Sequence, residues 1–328
     1  MRENVTVRYR APRSTMSRRG FVLGLLGVAA FGLTLPLTRV AVLATSALDV
    51  FALRLLLAAL AAAAVIVLRG VPPPAREHRF PLVLVAAGVV VGFPLFTSLA
   101  MDSAPAAHGG VVLGILPLAT AVAGVLLYRE RPSVAFWLTA AAGSALALAF
   151  ALGGKGAGGG LGIGDLWLAL AVPSAALGYA VGGRLSSRMP AWQVISWALV
   201  GSLPVALALP ALLGTPLTGL LVGPQRVSLS VLSAILYLGL VSQYGGFLLW
   251  YRALALDGVA RTSQIQLVQP FFTLAGAALL LGERIDGRTI AFALAILATV
   301  LLSRRTKVHR EPEEASGGDE GAAPPSRP

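Results

Sequence analysis

Apolar runs of about twenty residues recur along the whole chain, separated by short polar joints. A helix needs ~20 mostly apolar residues to cross a hydrocarbon core of ~30 Å. Within that medium the backbone must satisfy its own hydrogen bonds, which a helix does inside one segment. The chain therefore reads as a polytopic helical membrane protein. Only 12% of its 328 residues are charged and 56% are hydrophobic, with a mean hydropathy of +0.80. Soluble domains carry about 25% charged residues, so this chain could not cover a water-facing surface.

The runs predict ten spans, near residues 21–43, 50–68, 81–101, 104–127, 134–153, 166–183, 191–213, 229–251, 259–281 and 288–303. Ten spans place both termini on one side. Of the 26 Lys and Arg, twenty fall on the side of the N-terminus and four, Lys155, Arg226, Arg284 and Arg288, on the other; Arg39 and Arg54 lie in spans. Basic residues stay on the cytoplasmic side, so both termini are expected in the cytoplasm, with the protein multi-pass in the cytoplasmic membrane. "MSRRGFVLGL" has the look of a twin-arginine signal. Removing the first span would break the even count and the charge pattern, so it is expected to stay. The net charge of +12 is spread over the joints and not gathered on one face among aromatics, so no nucleic-acid partner is expected. Cysteine is absent, which removes disulfides and thiolate metal sites.

"LPLATAVAGVLLYRER" and "QPFFTLAGAALLLGER" align at a constant offset of 153 residues: Pro117 with Pro270, Thr120 with Thr273, Glu130 with Glu283. The chain thus divides into two five-span units, 20–153 and 165–304. They are flanked by a basic cytoplasmic N-terminus (1–19), a Gly-rich outer loop (154–164) and a polar, disordered cytoplasmic tail (305–328). An odd number of spans per unit turns the second upside down, so Glu130 is expected at the cytoplasmic face and Glu283 at the outer one. Inverted repeats are a transporter architecture, with the site between them near the midplane.

"FGLTLPLTRV", "FALRLLLAAL", "APAAHGGVVLGILPLATAVAGVLLYRER", "YGGFLLWYRALAL" and "VQPFFTLAGAALLLGER" resemble the EamA-type transporters of the drug/metabolite transporter superfamily, over about residues 20–303. The resemblance implies ten helices in two inverted bundles around a central cavity. It implies transport of a small polar or amphipathic metabolite by alternating access, with export of amino-acid-like or drug-like cargo as the expected direction. Uptake of a sugar or similar metabolite is the alternative within the fold; a membrane-embedded enzyme or receptor is the alternative outside it. The chain departs from the family at "YRER", where Gly-Glu-Arg is usual.

Several residues stand out against this apolar background. Thr262, Gln266, Gln269 and Thr273 fall at i, i+4, i+7 and i+11, one face of a helix. The first repeat carries Gly109, Leu113, Leu116 and Thr120 there, so the fold does not require the glutamines. The stripe is expected to face the bundle interior, where it either bonds neighbouring helices or lines the translocation path with Gln243 and Tyr244, the role favoured here; Gln264 points elsewhere. Arg39 and Arg54 lie about four residues, ~6 Å, inside the expected outer span ends. Each can snorkel to the interface or attract an anionic group at an outer vestibule. His108, near the outer end of span four, is a packed histidine or a proton sensor. Pro117 and Pro270 are expected to kink their helices as a pair, and Glu130 and Glu283 to tether helix ends by pairing with neighbouring arginines. No nucleophile–base set, phosphate loop or metal-ligand spacing is present. No enzyme activity, cofactor or metal is expected; the partners are a small-molecule substrate and the lipid bilayer, with a homodimer left open.

Overall fold

The computed structural model describes residues 17–128, 131–132, 134–153, 162–212, 228–303 and 308–309. Glu130, most of the Gly-rich loop, most of the N-terminal segment and most of the tail lie outside the described residues. Helical runs follow one another along the chain: α1 (Arg18–Val42), α2 (Ala47–Leu68), α3 (Arg76–Ser103), α4 (Ala106–Leu127), α5 (Val134–Gly153), α6 (Ile163–Leu185), α7 (Ala191–Ala208), α8 (Leu229–Asp257), α9 (259–281) and α10 (Gly287–Ser303). Among the described residues seven of these, α1–α4 and α6–α8, are long and apolar enough to cross a membrane. Arg131–Pro132 forms a short antiparallel pairing with Val308–His309.

Several runs are broken, and prolines account for many of the breaks. A proline lacks the N–H, and its ring collides with the carbonyl four residues earlier, so that carbonyl needs another donor. Pro36 withdraws the helical partner of Gly32, and α1 is interrupted at Leu33. The Gly32 carbonyl instead accepts from Thr273 Oγ1 of α9 at 2.8 Å. Pro94, which the sequence reading did not single out, does the same to Val90 beside a π-helical turn over Ala86–Gly92. There Gln243 Nε2 of α8 donates to the Val90 carbonyl at 3.0 Å. Polar side chains from neighbouring helices thus complete the broken ladders, as a membrane interior requires.

Pro117 and Pro270 each stand second in an α-helical piece, Leu116–Tyr128 and Gln269–Leu281, directly after a 3-10 turn, Leu113–Ile115 and Ser263–Val268. The two α pieces have 13 residues each and begin 153 residues apart. The π turns Ala86–Gly92 and Tyr237–Gly246 also overlap under that displacement. The internal repeat therefore extends from residue identity to the kind and place of two helix breaks, the π turn and the 3-10 turn. Continuous α-helices over 21–43 and 259–281 are not what forms; in both, a proline four residues beyond a carbonyl forces the ladder to change.

Packing follows the same pattern. α1 lies against α8 and α9, α6 lies against α3 and α4, and α5 lies against α10. Small residues let the backbones approach. A Cβ on Gly88 would stand 2.6 Å from the Ser174 carbonyl oxygen and 2.7 Å from Gly178 N. The outside is apolar: Leu68, Leu126, Leu229 and Leu279 are exposed, while Arg54, Thr97, Ser242 and Gln243 are buried. That inversion is what a lipid solvent asks of a helical bundle. α9 ends at Gly282 with φ +65°, in the left-handed region that favours glycine. Its repeat counterpart is Arg129, outside the described residues, so the effect of "YRER" on the first repeat's turn is not visible.

Candidate functional site

Three consecutive residues of the α8 π turn reach four different helices. Ser242 Oγ lies 2.8 Å from Thr34 Oγ1 of α1. Gln243 Oε1 accepts from Arg54 Nε of α2 at 2.7 Å, while its Nε2 donates to Val90 of α3. Tyr244 Oη lies 3.1 Å from Ser196 Oγ of α7. Consecutive residues of a helix point in different directions, and π turns are frequent at functional sites. Gly239 sits against the Arg54 carbonyl and Leu57, so α2 and α8 are in close contact beside the hub.

Arg54 does not lie in a shallow vestibule. α2 begins at Ala47, so Arg54 is seven residues inside it, ~10 Å along the axis. Its side chain turns inward, leaving the residue 2% exposed. Its Nη1 has no hydrogen-bond partner. The expected span started too late because Ser46, whose Oγ accepts from Asp49 N at 3.0 Å, caps the helix earlier than the apolar run begins.

The α9 stripe divides into separate environments. Thr262, Gln266 and Thr273 are buried and Gln269 is half-buried. The 3-10 turn replaces the α geometry assumed for the stripe, so the four do not follow a single α-helical face. Thr262 Oγ1 donates to Ala253 of α8 and Thr273 Oγ1 to Gly32 of α1. Gln266 is the exception. Its amide approaches the Tyr179 hydroxyl, yet neither its nitrogen nor its oxygen makes a hydrogen bond. Tyr179 in turn packs on Phe247 and Trp250, and Phe31 on the same two rings, with centroids 4.9–6.2 Å apart. The Trp250 indole nitrogen is also unpartnered. The side chain of Gln264 is outside the described residues.

The space beside Gln269, Pro270 and Thr273 holds about 10 Å³, no more than one water. A groove of about 560 Å³ lies elsewhere, between α1, α8 and α9, lined by residues such as Ala29, Leu33, Val241 and Phe272. It is apolar and includes none of the hub side chains. The polar hub, not this groove, is the candidate site.

At the helix ends Arg39 Nη1 donates to the Met101 and Ala104 carbonyls at 2.8 and 2.7 Å, and its Nε lies 3.6 Å from Glu283 Oε1. Glu283 also accepts from the Ala106 and Ala107 amides, both at 2.9 Å, at the N-terminus of α4. A carboxylate there answers the unpaired amides and the helix dipole. The expected partner was a neighbouring arginine; the partner is Arg39, far away in sequence. His108 Nε2 lies 2.7 Å from Asp165 Oδ1, and its ring stacks on Phe150 at 5.2 Å. Asp165 Oδ2 accepts from Gly162 N at the start of α6. Thr34, Ser196, Ser242, Tyr179 and Asp165 were missed by the sequence reading. Only Ser242, adjacent to Gln243 in "VSQYGG", carried a local signal.

The profile of the EamA-like transporter family matches residues 18–152 and 162–305. The chain is 40% identical over 287 residues, 87% of this chain and 97% of the relative, to "Uncharacterized transporter YdeK" of Bacillus subtilis (strain 168). A solved chain described as "Crystal structure of protein" shares the fold with a TM-score of 0.60 at 21% identity, over 91% of this chain and 99% of that one.

Proposed function

The chain belongs to the EamA-like transporter family, and from that premise we propose a secondary carrier that moves a small polar or amphipathic metabolite by alternating access. α1–α10 are ten spans in two inverted five-helix repeats in the cytoplasmic membrane, with both termini in the cytoplasm. The observation that carries the reading is the buried hub at the α8 π turn. Arg54, Gln243, Thr34, Ser242, Tyr244 and Ser196 meet there from four helices. Polar groups inside a membrane bundle are costly and mark pathways.

Two features support a moving carrier. Helix breaks recur at equivalent places in both halves, where a few residues can absorb a change in helix direction. The outer end is bridged by Arg39 and Glu283, and the other end by Asp257, which accepts from Ser17 N and Oγ at 3.0 Å. Opening one end while the other stays bridged is alternating access.

Export is the direction proposed. Metabolite profiling of cells with and without the gene supplies the cargo, and flux of that cargo is then followed in whole cells and in inverted vesicles. Carrier-dependent efflux from cells with accumulation in inverted vesicles is the expected result. Accumulation in cells would reverse the direction, and no carrier-dependent flux in either system would overturn the transport reading.

A further inference from the structure

We propose that Arg54 is the docking point for the carboxylate of a singly charged anionic substrate. This rests on the carrier reading and names its substrate class.

Arg54 is a nearly fully buried guanidinium whose one hydrogen bond goes to a neutral acceptor, Gln243 Oε1, while Nη1 stands without a partner. Among the described residues it has no carboxylate partner. Asp49, Asp102, Asp165, Asp257 and Glu283 all stand at helix ends, and the ion pairs found are Arg39–Glu283, His78–Glu77 and His108–Asp165. A buried charge without a counterion is expensive. Among the described residues the acids stand at helix ends and none pairs with Arg54, so the counterion is assigned to the ligand.

Gln243 fixes how that anion is met. Its oxygen holds Arg54 Nε, and its nitrogen is held in turn by the Val90 carbonyl that Pro94 frees. The amide cannot rotate away without losing both bonds. The guanidinium is therefore oriented before any ligand arrives, with the Nη1 side of its fork unused. A planar fork matches a carboxylate. The charge count favours a monoanion. Arg39 is engaged at the outer end, so one buried cation balances one negative charge, and a dianion would leave a net charge in the bundle.

The rest of the path suits an apolar body. Phe247 follows Gln243 by one helical turn and Trp250 by two. Phe31 packs on Phe247 and Tyr179 on Trp250. A carboxylate at Arg54 directs the remainder of the ligand toward these rings.

The test is binding to the full chain in nanodiscs, read by isothermal titration and by thermal unfolding. Acetate, benzoate and 3-phenylpropanoate are each compared with the corresponding amide, and with succinate. At least one monocarboxylate should bind at least tenfold more tightly than its amide and more tightly than succinate. R54K, which keeps the charge and loses the fork, should weaken that acid several-fold. R54M should bind acid and amide alike. Wild-type protein that prefers no acid over its amide overturns the proposal, as does R54M or R54K binding the acid like wild type. If R54M does not fold, R54K and the acid–amide comparison decide. Carboxylate binding without flux of any cargo would leave the anion site standing and remove the carrier reading. Flux of a cationic or neutral cargo unchanged in R54K would do the reverse.

Discussion

Gln243 donates its side-chain amide to the carbonyl of Val90 at 3.0 Å, and Val90 is the residue 153 positions before it. Equivalent residues of a two-fold pair touch only near the axis, so the proposed inverted repeat has its axis at this contact, with Arg54 bonded to the same amide. Gln243→Leu removes both bonds and orphans a buried donor and a buried acceptor, at about 1–3 kcal/mol each. Thermal unfolding in detergent should show a clear loss of stability. An unchanged unfolding temperature would mean water replaces the amide.

Thr273→Val removes the hydroxyl that serves the Gly32 carbonyl. The cost should be ~0.6–2 kcal/mol, the range for side-chain hydrogen bonds in membranes. Pro36→Ala restores an N–H in reach of that carbonyl. In the P36A background the cost of Thr273→Val should shrink, and a double-mutant cycle reads the coupling. Strict additivity would show that the proline is not what exposes Gly32.

Gln266 is buried, and its amide approaches the Tyr179 hydroxyl without reaching good hydrogen-bond geometry on either atom. Gln266→Leu, the residue its repeat twin Leu113 supplies, should leave the unfolding temperature equal or raised while transport falls by an order of magnitude or more. Normal transport with normal stability would remove Gln266 from the path.

Gly88→Val should cost at least 1–3 kcal/mol by overpacking, because a Cβ there meets backbone atoms of Ser174 and Gly178 below 3.0 Å. Gly201→Val, where nothing lies within 4 Å, is the control and should change the unfolding temperature little. Equal effects would mean that α3 and α6 are not in close contact.

Asp286 caps α10 by accepting from Thr289 N and Oγ1 at 2.7 and 2.6 Å, and these bonds hold its carboxyl below the ordinary value. A depressed carboxyl contributes stability above its unfolded value of ~3.9 and loses it as pH falls through the lower folded value. The protection of amides at the start of α10, corrected for their intrinsic exchange rates, should therefore fall below about pH 4, and Asp286→Ala should abolish that dependence. Persistence of the acid-range loss of protection in the alanine variant would assign it to another group.

Single cysteines at Gly156 and Gly223 should react with a membrane-impermeant maleimide on intact cells, and cysteines at Ser187 and Glu77 should not. The chain has no cysteine of its own, so the background is clean. Labelling at Ser187 from outside would reject the ten-span topology.

The membrane class, the family and the repeat were legible without coordinates, because each depends on local composition or on matching residues at a fixed offset. Twenty apolar residues in a row have few other fates, and Pro117 and Pro270 mark their repeats wherever the helices lie. What Arg54, Glu283 and His108 touch was not legible. Gln243 is 189 positions from Arg54, Ala106 is 177 from Glu283, and Asp165 is 57 from His108. Such pairs exist only once helices distant in sequence are packed side by side. The α9 stripe lies between the two cases. Its polarity was plain, but Pro270 and the 3-10 turn before it decided which side chains share a face. Pro94 shows the same limit, since a proline announces that a carbonyl is freed, and only the packed bundle decides that Gln243 takes it.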